Sequence, residues 1–232
     1  MYARLLALFG LLFVSASLVR SESTFPTGAV VEVYLHGDSA SAANVLDEMN
    51  RELAILMQHA GFRIIGSHGN DQSPSGEAAH VIVVELRGAC AVPMARSNSA
   101  EPIPSALSLA SSAVADGRVL PFSWVDCSAL NRFLGPAISA QTTQDQAYIY
   151  GRSMARLLAH EFYHVLAQTG DHTQAGICKA SFSRADLLAD HFDFDDVAIE
   201  RLHPPRLGSH AAVRFDPPQL DATASSANPF SR

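Results

Sequence analysis

With 232 residues, 48% of them hydrophobic and 17% charged, the chain has the composition of an ordinary globular protein and the length for one well-filled core plus a tail. Its formal net charge of -7, with no Lys/Arg run anywhere, argues against binding nucleic acid through phosphates and points to a peptide, protein or small molecule as partner.

Met1-Tyr2-Ala3-Arg4 gives a basic start, and residues 5–19 form an apolar stretch with cleavage points after Ala16 or Ser17. Residues 1–17 therefore read as a signal peptide, and the protein as secreted or periplasmic. An uncleaved anchor is the alternative, but Gly10, Ser15 and Ser17 break the run and it is short for a bilayer. No later segment is apolar enough to span a membrane, so no stable membrane span remains after cleavage. The folded domain is expected over residues 21–203, with a Pro/Ala/Ser-rich and disordered tail over 204–232.

Within the domain, β-branched and aromatic residues at 29–35, closed by His36-Gly37-Asp38, predict a first strand. A helix follows, since Leu46, Met49, Leu53, Leu56, Met57 and Ala60 recur at three- and four-residue intervals before a stop at Gly61. Residues 62–65 make a short strand, 67–79 a polar loop with Gly69, Pro74 and Gly76, and 80–86 a strongly apolar strand. The small, Ser- and Pro-containing residues 91–115 read as a long surface connection with at most a short helix. Residues 119–125 form a fourth strand, placed at an edge because Pro121 cannot donate a ladder hydrogen bond. An exposed edge can accept a peptide as an added strand.

Export favours disulfides. Cys90 and Cys127 each follow a strand, so a bridge between them is expected if those strands are neighbours, leaving Cys178 as a small buried residue without a chemical role.

Thr142 or Thr143, with Asp145 and Gln146 three residues on, caps a long helix that runs to about Gln168 and ends at Gly170. Histidines aside, its only charged side chains from 147 to 169 are Arg152, Arg156 and Glu161, which predicts a largely buried helix. A short helix near 183–190 and an acidic stretch at 193–196 complete the domain.

On that buried helix lies His160-Glu161-Phe162-Tyr163-His164. Histidines four apart project from one face and can reach one metal ion. Neutral imidazoles around Zn2+ leave a position for water, whose pKa falls toward neutrality, and Glu161 is placed to accept its proton. Two histidines and a glutamate in an apolar helix are costly to bury without such a role. His172, beyond Gly170, is the preferred third ligand, with Asp171, Asp190, His191 and Glu200 as rivals.

The His160-Glu161-x-x-His164 motif, together with the order of strands and helices from residue 29 to residue 172, resembles the zincin metallopeptidases. The resemblance implies an α+β, zincin-like fold: a small twisted mixed sheet with a long buried active-site helix. It implies a zinc-dependent hydrolase, a peptidase acting on peptide or protein substrate, with His160, His164 and His172 on zinc and Glu161 as catalytic general base. A three-histidine set is most similar to the metzincins, but the glycine and third histidine of their motif fall here on Ala167 and Gly170. His172 arrives two residues later, and no methionine follows Met154 to form their methionine turn. Zincins often add a Tyr or His to steady an oxyanion, for which Tyr163, His191 and Tyr34 are nominees. The alternatives are a non-catalytic exported protein of the same fold with a structural zinc or binding role, and an unrelated domain carrying the motif by chance.

Overall fold

A computed structural model describes residues 28–37, 42–68, 78–92 and 108–203. The expected signal peptide and tail lie outside the described residues. Among those described, ten elements follow in order: β1 (Ala29–Gly37), α1 (Ala43–His59), β2 (Phe62–His68), β3 (His80–Arg87), β4 (Ala110–Ala115), β5 (Arg118–Asp126), α2 (Cys127–Ile138), α3 (Thr143–Ala167), α4 (Arg184–Leu188) and α5 (Asp196–Leu202).

The strands form one five-stranded mixed sheet of order β2-β1-β3-β5-β4. β1 runs parallel to β2 and β3, and β3 parallel to β5, while β4 alone is antiparallel, joined to β5 by the tight turn at Asp116-Gly117. The protein is thus mixed α/β, in agreement with the α+β class expected.

α1 buries Val45, Met49, Leu53, Leu56 and Met57, the stripe that a 3.6-residue period carves from an otherwise polar helix. That stripe and α3 pack on each other and on the inner face of the sheet, where Val31, Val33, Ile82, Val84 and Val125 are buried. At their crossing a Cβ on Gly151 would stand 2.6 Å from the Val45 carbonyl oxygen, so only glycine lets the two backbones approach this closely. β3 and β5 being neighbours, Cys90 and Cys127 meet in a disulfide, as expected from their strand-end positions. Cys178 is a buried free thiol. Among the described residues, no helix is long and apolar enough to cross a membrane.

The structure corrects the sequence reading in three places. β5 is not the edge strand; β4 is, and it comes from the stretch expected to be an irregular connection. Pro121 is tolerated because the β3 ladder starts only at Phe122, and the β4 ladder jumps from Ser112–Ser123 to Val114–Val119 across a bulge. No neighbour asks the proline for an N–H. Gly170 does not end α3 either: the helix stops at Ala167, and Gln168 takes the left-handed conformation at φ 50°. Its side-chain amide is held by the carbonyls of Val119 and Val165.

Candidate metal centre

α3 is 25 residues long and opens on Thr142, whose side chain accepts from the Asp145 backbone N–H. From Tyr150 to Val165 it is buried without interruption. Its charges are matched from outside the helix. Arg152 and Arg156 pair with Glu52 of α1 at 3.5 and 3.3 Å and donate to the carbonyls of Asp186, Leu187, Ala189 and Asp190. These bonds tie the segment around α4 to the helix.

Near the C-terminal end of α3, His160 and His164 converge with His172, and one ring nitrogen from each lies within 4.8 Å of the others. His160 and His164 are each 8% exposed, whereas His172 is exposed, its ring centroid 5.2 and 4.9 Å from theirs. The left-handed turn at Gln168 sends the chain back past the helix end and so delivers His172. Of the residues weighed as third ligand, His172 is the one that joins the group; Asp171, Asp190, His191 and Glu200 do not. These three histidines could hold a metal ion.

The hydrogen bonds fix the tautomers. His160 Nδ1 bonds the Ile177 carbonyl oxygen at 2.7 Å, and His164 Nδ1 bonds that of Thr169 at 2.8 Å. A carbonyl only accepts, so both Nδ1 atoms carry the proton, and each neutral ring turns a bare Nε2 lone pair inward. Those two Nε2 atoms stand 3.0 Å apart. Two lone pairs at that distance repel unless a cation lies between them. A proton is a poor candidate, because burial pulls the His160 pKa down to about 4 and lowers that of His164. A divalent ion suits the site better: nitrogens about 2.05 Å from a tetrahedral zinc are separated by about 3.3 Å. Carbonyls on the far ring nitrogens are also the usual device for orienting histidine ligands.

Glu161 is 5% exposed, and burial raises its pKa to about 7, opposed in part by a hydrogen bond from Ser112. That bond runs from Ser112 Oγ on the edge strand to Glu161 Oε2 at 2.7 Å. Ser112 Oγ in turn lies 3.0 Å from Ser123 Oγ on β5.

The ring of one oxyanion nominee, Tyr163, packs with its centroid 5.3 Å from that of His164. The Tyr163 ring is buried and its hydroxyl accepts from Arg201 at 2.8 Å; Tyr34 sits on β1 and donates to Glu32 Oε1 at 3.0 Å; His191 lies in the loop after α4. Residues that sequence reading passed over include Ser112 and Phe182, whose ring stands edge-on to His160 at 5.3 Å. Neither belongs to a recognisable motif, and the backbone carbonyls of Thr169 and Ile177 leave no trace in side-chain identity. A cavity of about 520 Å³ opens between the β4–β5 turn and the end of α3, lined by Arg118, Pro121, Val165 and Gln168 among others; none of the three histidines lines it.

No protein-family model matches this chain, and no match was found among curated proteins.

Proposed function

We propose that the protein is an exported zinc-dependent hydrolase, a peptidase of zincin type, with His160, His164 and His172 as metal ligands and Glu161 as general base. The observation that carries this reading is the pair of inward Nε2 lone pairs 3.0 Å apart, each fixed by a carbonyl on the far side of its ring. Nitrogen donors favour zinc over magnesium or calcium, which take oxygen ligands. When bound, zinc supplies a Lewis acid that lowers the pKa of a coordinated water and polarises a carbonyl.

The chain's own residues perform the rest. Glu161, buried directly after the first histidine, is placed to accept a proton from water on its carboxylate and to pass it on to the leaving amine. Among the described residues β4 is the sheet's edge strand, beside α3 through the Ser112–Glu161 bond, so an extended peptide can join it as an added strand next to the base. Three histidines, with no fourth ligand beside them among the described residues, match the pattern of a catalytic rather than a closed structural site. The Cys90–Cys127 disulfide supports export to an oxidising compartment.

Zinc titration of the metal-free protein, coupled to cleavage of a peptide library, tests the proposal. Expected are one equivalent of zinc, zinc-dependent cleavage, and a Glu161→Ala variant that keeps the metal but loses activity by a factor of about 100 or more. His172→Ala is expected to weaken zinc binding at least tenfold; full retained affinity would remove it as a ligand. Zinc bound by wild type and Glu161→Ala with cleavage by neither would leave a structural metal instead.

A further inference from the structure

We propose that Ser112, on the edge strand, is the positioning residue for Glu161: it holds the carboxylate through Oε2 and so sets the direction of Oε1. Its catalytic consequence rests on the hydrolase reading above; its geometric content does not.

The Ser112 hydroxyl has one proton to donate, and the 2.7 Å contact to Glu161 Oε2 is the shortest of its contacts, ahead of Ser123 Oγ at 3.0 Å and the Glu161 carbonyl at 3.3 Å. The Ser123 hydroxyl can then donate to Ser112, giving a two-hydroxyl chain that ends on the carboxylate. Such chains strengthen each bond by polarisation, and a hydrogen bond to a charged acceptor is about twice as strong as a neutral one. Ser123 is 2% exposed and Glu161 5%, and the half-buried Ser112 bridges the two.

The strand geometry is built for this contact. Ser112 and Ser123 are directly paired across β4 and β5, and the register breaks immediately afterwards, between Ser112 and Val114. A bulge re-aims the side chains beside it. β4 packs against α3, and at the bulge Ser112 contacts both the side chain and the backbone of Glu161. Because β4 is also the strand a peptide would join, one residue links the substrate's ladder to the orientation of the base.

The test compares Ser112→Ala and Ser112→Thr with wild type by crystal structures of the full chain and by peptide kinetics with zinc. In Ser112→Ala the Glu161 carboxylate is expected to leave its place or split between rotamers. kcat is expected to fall about tenfold to a hundredfold with KM changed by less than about twofold and bound zinc unchanged, while Ser112→Thr restores both. A carboxylate that stays put in Ser112→Ala overturns the proposal. So does a rise in KM at constant kcat, which would make Ser112 a substrate contact, or a loss of thermal stability with kcat intact, which would make the bond a staple between strand and helix. If wild type cleaves nothing, the hydrolase reading falls, and the crystallographic comparison still decides the role of Ser112.

Discussion

Two buried residues adjacent in sequence have their protonation pushed in opposite senses. His160 stays neutral in the folded, metal-free protein down to about pH 4, whereas the unfolded chain takes up that proton from about pH 6.5 downward. The stability contributed by a neutral His160 is therefore complete above pH 6.5 and declines by about 3 kcal/mol as pH falls to 4. Glu161 does the reverse: its folded pKa of about 7 lies above the ordinary carboxyl value of 4.5, so its contribution is complete below pH 4.5 and lost as pH rises to 7. Between pH 4.5 and 6.5 the two slopes oppose each other. Urea unfolding of the metal-free protein across that window is expected to show a shallow pH dependence in wild type. In Glu161→Gln, where only the histidine slopes survive, stability should fall steeply on acidification; an equally shallow variant would contradict the assignment. Much of this residue-level picture was legible beforehand. Histidines at i and i+4 must share a helix face, and a glutamate between them in an apolar run is conspicuous, so His160, Glu161 and His164 could be named from spacing alone. His172 needed more, because its place depends on where the helix lets go.

That release point shows what an element can hide. A glycine at 170 is the residue one expects to end a helix, yet a Cβ there would touch nothing within 4 Å, and the left-handed turn falls on Gln168. The glycine that matters is Gly176, at φ 63°, where a Cβ would stand 2.4 Å from the Asp193 carbonyl oxygen. The next residue, Ile177, donates to that same carbonyl and presents its own to His160. Gly176→Ala is accordingly expected to cost about 1–3 kcal/mol of stability and to weaken zinc binding about tenfold or more, while Gly170→Ala stays within about 0.5 kcal/mol of wild type. Thermal melts and zinc titrations of the pair decide it; equal effects would refute the distinction. β4 escaped detection for a related reason. Its Ala-Ser-Ser-Ala-Val-Ala sequence lacks the alternation and bulk of a strand, and it becomes one by pairing with β5. Pro121, a sound indicator of an edge, misled because a bulge can excuse a proline from its ladder as well as an edge can.

Across the whole molecule, the first strands and the two long helices could be laid out from periodicity, whereas sheet order could not, since nothing local says that β3 lies beside β5. The Cys90–Cys127 bridge was the one long-range clue. It closes a loop of 37 residues, joining the segment after β3 to the start of α2, and by chain entropy should contribute about 4 kcal/mol. Reduction, or a Cys90→Ala/Cys127→Ala pair, is expected to lower the unfolding free energy by roughly that amount; an unchanged urea midpoint in the reduced protein would count against it.

The placement of the histidines on α3 has an electrostatic consequence as well. They occupy the last two turns of a 25-residue helix, where aligned peptide dipoles leave the equivalent of about half a negative charge. A cation gathered there sits at the attractive pole. A carboxylate in the same turns works against that field, which reinforces the tendency of Glu161 to keep its proton until a positive charge arrives beside it. The helix is thus more than a rack for three side chains: its polarity favours the loaded protein, and loading in turn favours the ionised base.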